Sequence, residues 1–204
     1  MIAVIDYGMG NLGTVAAKIK KMDTSVVITS KPEEIALADK LILPGVGSFK
    51  AGMENLRNRN LISILNKKVI GEKTPILGIC LGMQLFTKKS EEGFVDGLCW
   101  IDAETIRFRF IDSQRGLKIP HMGWNTIKTK NSHPIFTHLG DPSRFYFVHS
   151  YHARCEHPEN IIAETEYGYV FPSAIAKENI VGVQFHPERS HKYGMKILKN
   201  FIEE

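Results

Sequence analysis

The sequence predicts an α/β fold, doubly wound, with a mostly parallel central sheet and antiparallel additions in the C-terminal half. Three observations carry that expectation. In the first half, apolar runs of strand length alternate with helical patterns, as βαβ units require. Those runs open into glycine-containing turns. In the second half the helical patterns give way to a succession of short strands.

Taken in order, "IAVID" reads as a buried strand, followed by a Gly-rich turn. A helix is expected from about Asn11 to Lys21, with Leu12, Val15, Ala16 and Ile19 on one face. "SVVIT" is a second strand, and "KLILPGVGSF" a third that ends in a Pro-Gly turn. "PILGICLGMQLF" is a fourth strand that runs straight into a helix. Beyond it, "GLCWI", "ETIRF", "GWNTIKT", "RFYFVHSY", "NIIAETEY", "FPSAIAKE" and "NIVGVQFHPE" read as short strands between turn residues. "HKYGMKILKNFIEE" closes the chain as a helix, with Tyr193, Ile197, Leu198 and Phe201 at helical spacing. There is no linker, repeat or low-complexity segment, so residues 1–204 are expected to form one domain.

Bulk properties narrow the function classes. A chain of 204 residues, 43% hydrophobic, buries roughly 70% of its unfolded surface and folds without staples. Its 26 basic and 22 acidic residues are spread along the whole length, with no basic run of five, which argues against nucleic acid as a partner. Cys80, Cys99 and Cys155 are odd in number and widely spaced, without a CxxC pair, which fits neither a disulfide framework nor a zinc ribbon. The N-terminus meets Asp6 after a few apolar residues and has no basic flank, and no apolar stretch approaches a membrane span. A cytoplasmic protein with no membrane association is the expectation.

Gly8-Met9-Gly10-Asn11-Leu12-Gly13 matches the glycine fingerprint of dinucleotide-binding folds, between a strand and a helix. The fingerprint also needs an acidic residue about 20 positions on, at the end of the next strand. That strand ends in Ser30 and Lys31 instead. Lys31 could meet a 2′-phosphate, but the plainer reading is a tight turn built from small residues.

"ILGICLGMQLF" is more specific. Cys80 stands between Gly78 and Gly82 at a strand-to-helix junction, the nucleophile-elbow pattern with cysteine in place of serine. The turn leaves no room for side chains two residues either side. The helix that follows points its N-terminus at the sulfur and favours the thiolate, and the Leu81 N–H is free to face an oxyanion. A packing cysteine needs no such glycines. Cys99 and Cys155 lack that setting and read as packing residues.

A thiol nucleophile needs a base. His186 ends the apolar strand "NIVGVQF", where functional side chains of α/β sheets collect. Glu188 lies two residues on, the offset that returns to the same face of an extended chain. His149, His152 and Cys155 could be drawn as a metal trio, but without a fourth ligand they read as strand residues. The turn Pro44-Gly45-Val46-Gly47 follows a parallel strand to the same sheet edge as Cys80, and Val46 can offer a second N–H to the oxyanion.

Together these residues resemble the class I glutamine amidotransferase family, with its Cys-His-Glu triad. "DYGMGN", "LPGVGSF", "GICLGMQLF", "SEEG", "IPHMGWN", "FYFVHSYH", "FPSA" and "GVQFHPERS" follow in order the pattern of those members that serve histidine biosynthesis. The likeness spans nearly the whole chain. It implies a glutaminase with Cys80, His186 and Glu188 as the triad and no cofactor, whose opening turn lies beside the active centre without binding a dinucleotide. It implies that Gly45, Gly47, Gln84, Glu92, Ser150 and Tyr151 hold the substrate glutamine. It also implies a heterodimer with a (βα)₈-barrel cyclase, docked through Asn11, His121, Met122, Trp124, Tyr146 and Arg189. The family's usual lysine after the triad glutamate is here Arg189.

The segment "GFVDGLCWIDAETIRFRF" departs from the histidine-pathway pattern and looks more like paralogues that supply ammonia for amidination of bacterial surface sugars. A nucleotide-binding oxidoreductase and a stand-alone thiol hydrolase are the more distant alternatives.

Overall fold

In the computed structural model, which describes residues 1–111, 116–130, 132–140 and 142–203, the first-half strands are β1 (Ile2–Ile5), β2 (Val26–Thr29), β3 (Lys40–Gly45) and β4 (Ile76–Cys80). Helices α1 (Leu12–Lys20), α2 (Pro32–Ala36), α3 (Phe49–Asn58) and α4 (Leu61–Asn66) connect them, and α5 (Leu81–Leu85) leaves β4 directly. Then come β5 (Lys89–Ser90), β6 (Val95–Asp96), β7 (Ala103–Arg107), β8 (His121–Thr126) and β9 (Lys128–Thr129). The chain continues with β10 (Arg144–His149), β11 (Tyr151–Cys155), β12 (Ile161–Tyr167), β13 (Tyr169–Lys177) and β14 (Ile180–Val183), and ends in α6 (His191–Glu203).

The main sheet has eight strands in the order β2-β1-β3-β4-β14-β13-β12-β9. Pairing is parallel from β2 through β14 and antiparallel from β14 to β9. This is the doubly wound sheet with antiparallel additions. A two-stranded ribbon, β10-β8, and a four-stranded sheet, β11-β7-β5-β6, complete it.

Period-two alternation explains the continuous apolar strands. In β1, Ile2 and Val4 join a core with Val15 and Ile19 of α1 and Leu198 and Phe201 of α6. Ala3 and Ile5 join the opposite core, with Phe49, Met53 and Leu56 of α3 and Leu61 and Leu65 of α4. Both faces of the sheet are covered, so both sets of side chains are apolar.

One expected strand is absent. "GLCWI" is irregular, because its amides turn back onto the end of α5. Leu98 N–H donates to Leu85 O at 2.8 Å, Cys99 N–H to Thr87 O at 3.2 Å, and Trp100 N–H to Phe86 O at 2.9 Å. Residues that cap a helix terminus have no amides left for a ladder. The final helix begins as expected at His191, and Glu204 lies outside the described residues.

Candidate active site

Cys80 is the last residue of β4 and precedes α5, with φ +53 and ψ −106. A non-glycine residue held there stores about 1–3 kcal/mol of backbone strain. The flanking glycines are required by space. A Cβ on Gly82 would lie 1.8 Å from Leu43 O, and one on Gly78 would lie 2.7 Å from Met83 N. The sharp turn lifts the Cys80 side chain to the carboxyl edge of the sheet.

At that edge β14 runs parallel to β4, with Val183 opposite Ile79. The chain beyond β14 therefore delivers Gln184 and His186 next to Cys80. His186 Nδ1 is 2.9 Å from Glu188 Oε1, and Asn11 Nδ2 donates to the same oxygen at 3.3 Å. His186 Nε2 is buried without a hydrogen-bond partner and stays open toward the sulfur. Burial opposes a charge on His186, but the Cys80 sulfur and the Glu188 carboxylate outweigh it and hold the imidazole above its usual range. Burial likewise works against ionised Glu188, and its bonds from His186 and Asn11 hold it below the usual carboxylate range. The arrangement can hold a protonated imidazole beside the Cys80 sulfur.

The Cys80 thiol donates to Val148 O at 3.8 Å. Two neighbours of Cys80 escaped the sequence reading. Gln184 Nε2 donates to its sulfur at 3.6 Å. The fully buried Tyr7 hydroxyl has no partner, and burial, then the Cys80 charge, push its pKa far up. Gln184 was findable, because it lies two residues before His186 just as Glu188 lies two after. Nothing in "DYG" marks Tyr7.

Of the expected glutamine-holding residues, Gly45 and Gln84 are linked directly to this centre. Gly45 pairs with Cys80 across β3 and β4, and Val46 and Gly47 are exposed beyond it. Gln84 is buried on α5, where its Nε2 donates to Tyr151 O at 2.9 Å and to Gln184 Oε1 at 3.0 Å. Its amide nitrogen is thus engaged inside the protein, and Tyr151 presents its carbonyl inward. Ser150 O accepts from Phe108 N–H at 3.1 Å. Glu92 Oε2 accepts from Phe49 N–H at 2.7 Å, at the start of α3, so its carboxylate serves a helix N-terminus.

Gly10 has φ +99, and a Cβ there would lie 3.1 Å from both Gly45 N and Pro44 C. The opening glycine turn therefore packs directly on the Pro44–Gly47 turn. Close approach of two backbones is what this glycine provides for.

Of the expected docking residues, four share one surface. β8 and β10 pair with Trp124 opposite Tyr146. Trp124 lies edge-on to Tyr146, with ring centroids 6.1 Å apart, and stacks on His191. The Arg189 guanidinium sits over the Tyr146 ring at 5.8 Å, and Met122 is exposed. His121 does not belong with them. Alternation along β8 turns it inward, where it is buried against Phe147 and Tyr167.

His121, His149 and His152 instead form a neutral interior cluster. Tyr151 O can only accept, so His149 Nδ1 carries a hydrogen and donates to it at 2.7 Å. His149 Nε2 must then accept from His121 Nδ1, 3.1 Å away. His152 is engaged by Ala153 O and the Tyr169 hydroxyl. Burial lowers all three, His121 to about 4. Among the described residues no group of three His, Cys, Asp or Glu is arranged for a metal. Cys155 is partly buried as expected, but Cys99 is exposed and not a packing residue.

Comparison with known proteins adds a family. The model of the family described as glutamine amidotransferase class-I matches residues 3–204. The chain is 55% identical over 204 residues to the imidazole glycerol phosphate synthase subunit HisH 2 of Methanococcus maripaludis, covering 100% of both chains. It is 48% identical to the subunit HisH of Sulfurimonas denitrificans, covering 100% of this chain and 98% of the relative. It is 45% identical to HisH 2 of Pseudomonas aeruginosa, covering 100% and 99%. Among solved structures it resembles PurLQS from Thermotoga maritima, with a TM-score of 0.70, 17% identity, and coverage of 99% of this chain and 97% of that one. That last likeness concerns the fold.

Proposed function

The chain belongs to the class I glutamine amidotransferase family, and from that premise we propose that it is the glutaminase subunit of an imidazole glycerol phosphate synthase. In this reading residues 1–204 act as one domain that hydrolyses glutamine and passes ammonia to a (βα)₈-barrel cyclase for histidine biosynthesis. The single observation that carries the chemistry is the imidazole of His186, bonded to Glu188 at 2.9 Å with its Nε2 unpaired beside the Cys80 elbow. The names carried by the relatives support the histidine pathway over sugar amidination.

The mechanism follows from these groups. The Cys80 thiolate attacks the side-chain amide carbon of glutamine, and the carbonyl π electrons move onto oxygen. The N–H groups of Leu81 and Val46 receive that oxyanion. His186 gives its proton to the nitrogen, the C–N bond breaks, and ammonia leaves behind a glutamyl thioester. Water then loses a proton to His186 and attacks the thioester, releasing glutamate and the Cys80 sulfur. Gly45, Gly47, Gln84, Glu92, Ser150 and Tyr151 border the substrate. The surface of Met122, Trp124, Tyr146 and Arg189, with Asn11 beside the triad, faces the cyclase. Its closeness to the triad supports this, since His186 N–H bonds to Tyr146 O at 2.9 Å. Among the described residues no helix is long and apolar enough to cross a membrane.

Glutamate release in the presence of the barrel partner tests the reading. Cys80→Ala is expected to abolish it, and Cys99→Ala and Cys155→Ala to retain it. Substantial turnover by Cys80→Ala would overturn the assignment of the nucleophile.

A further inference from the structure

The side chain of Gln184 is fully buried, carries no charge and has no part in the triad, yet it reaches the reacting sulfur. Its backbone is held where β14 ends, since Gln184 N–H donates to Ser173 O at 2.9 Å. Because Val183 lies opposite Ile79, Gln184, the first residue beyond β14, stands level with Cys80.

The orientation of its amide can be deduced from Tyr151 O, an atom that only accepts hydrogen bonds. The Gln84 amide atom 2.9 Å from Tyr151 O must therefore be the nitrogen. The same nitrogen lies 3.0 Å from one end of the Gln184 amide, which must be its oxygen. The other end, the NH₂ group, then faces Cys80 Sγ at 3.6 Å. No flipped amide satisfies all three contacts.

We propose that Gln184 is a positioning residue for the nucleophile, donating a hydrogen bond that holds the Cys80 sulfur in place and stabilises it once it is ionised. Gln84 sets which end of that amide meets the sulfur. In the resting thiol, Cys80 donates to Val148 O and accepts from Gln184. On losing its proton the sulfur can no longer donate to Val148 O and keeps the Gln184 bond. A donor that survives ionisation favours the charged form. His186 and Tyr7 also interact with the sulfur, and Glu188 acts through His186. Of the side chains described at the sulfur, Gln184 is the donor that cannot titrate.

The proposal rests on Cys80 as nucleophile for its meaning, but its test reads the sulfur directly. The chain is treated with iodoacetamide at neutral pH, and labelling is followed by peptide mass mapping. Exposed Cys99 serves as the internal reference. Gln184→Met preserves volume without a donor, and Gln184→Glu preserves shape and acceptor without a donor. In both, Cys80 labelling relative to Cys99 is expected to slow roughly ten- to a hundredfold, the range for losing one hydrogen bond to a charged group. With partner present, kcat for glutamate release is expected to fall by a similar factor, while KM stays within about threefold. A packing role would predict near-normal behaviour of Gln184→Met. If that variant shows no cooperative melt, Gln84→Met frees the Gln184 amide to turn and is expected to slow Cys80 labelling by a smaller factor. An unchanged Cys80 to Cys99 ratio in the folded variants would overturn the proposal. Turnover by Cys80→Ala would instead sink the functional reading and leave the labelling result standing.

Discussion

Asn11 Nδ2 donates to Glu188 Oε1 at 3.3 Å, and that oxygen is the one bonded to His186. A residue of the opening glycine turn is thus tied to the carboxylate that orients the imidazole. Asn11→Ala removes the bond, and its length puts it at the weak end for a charged acceptor, about 1.5 kcal/mol. Turnover of glutamine is expected to fall about tenfold, and further in Asn11→Asp, which sets a second carboxylate beside Glu188. If Asn11→Ala only weakened binding of the partner, with full turnover once saturated, Asn11 would be a docking residue and nothing more.

Space around the glycines separates those the elbow needs from those it does not. A Cβ at Gly82 would overlap Leu43 O, whereas one at Gly13 meets nothing within 4 Å. Overpacking of this kind costs about 1–3 kcal/mol, so Gly82→Ala is expected to lower Tm by roughly 2–12 °C, at about 2–4 °C per kcal/mol for a chain of this size. Gly13 lies within α1, where alanine is favoured by up to about 1 kcal/mol. Gly13→Ala is expected to raise Tm slightly and keep full activity. Thermal melting of the two variants side by side checks the contrast, and a Gly82→Ala protein as stable as the parent would refute it.

The interior histidines set an acid limit. Burial lowers His121 to about 4 from the ordinary value of 6.5, and lowers His149 as well. The unfolded chain therefore binds protons near pH 6.5 that the fold refuses until about pH 4. Stability is present in full above 6.5 and is lost as pH falls through that window. His186 does not offset this, because a raised pKa contributes stability that is complete below 6.5 and lost only as pH rises toward its folded value. Melting curves between pH 7 and 4.5 are expected to show Tm falling steadily, with a shallower slope in His121→Gln. A flat Tm over that range would show that the cluster does not refuse its protons.

The parts of this fold legible in the sequence were those whose pattern is local. β1, β3 and β4 announced themselves because both faces of the sheet are covered, so the strand residues are apolar except Lys40, at the start of β3. The short helices α2 and α4, five and six residues long, are too brief for a helical period to emerge. β5 and β6, two residues each, give no alternation to detect. "GLCWI" misled because its composition is that of a strand while its amides serve a helix end. In the site, the elbow glycines and the His186–Glu188 offset are spacings within a few residues. The contact of Gln84 with Gln184 spans 100 positions and exists only because β4 and β14 are neighbours. His121 shows the opposite failure, since a motif carried it to the surface and strand alternation returned it to the interior.

Dependence on a partner is expected from where the second proposed oxyanion donor lies. Cys80, His186 and Glu188 are assembled within the chain, and the Leu81 N–H leads α5. The second donor, Val46, lies in an exposed turn beyond β3, followed by Gly47 at φ +128. A peptide bounded by glycines can rotate at little cost, so the Val46 N–H is expected to point away from the oxyanion in the isolated chain. Docking of the barrel with its ligand would favour the competent orientation, a shift between two populations. Absence of one such donor costs roughly 10²–10³ in turnover, and glutamate release by the chain alone is expected to be slower than that of the liganded complex by at least about that factor. Trp124 is the larger aromatic of the proposed docking surface, and Trp124→Ala is expected to weaken association and stimulation together while Tm is kept. The measurement is glutamate release by the chain alone, with partner, and with partner plus its ligand. Equal rates in all three would mean that Val46 already faces the oxyanion at rest and that the turn regulates nothing.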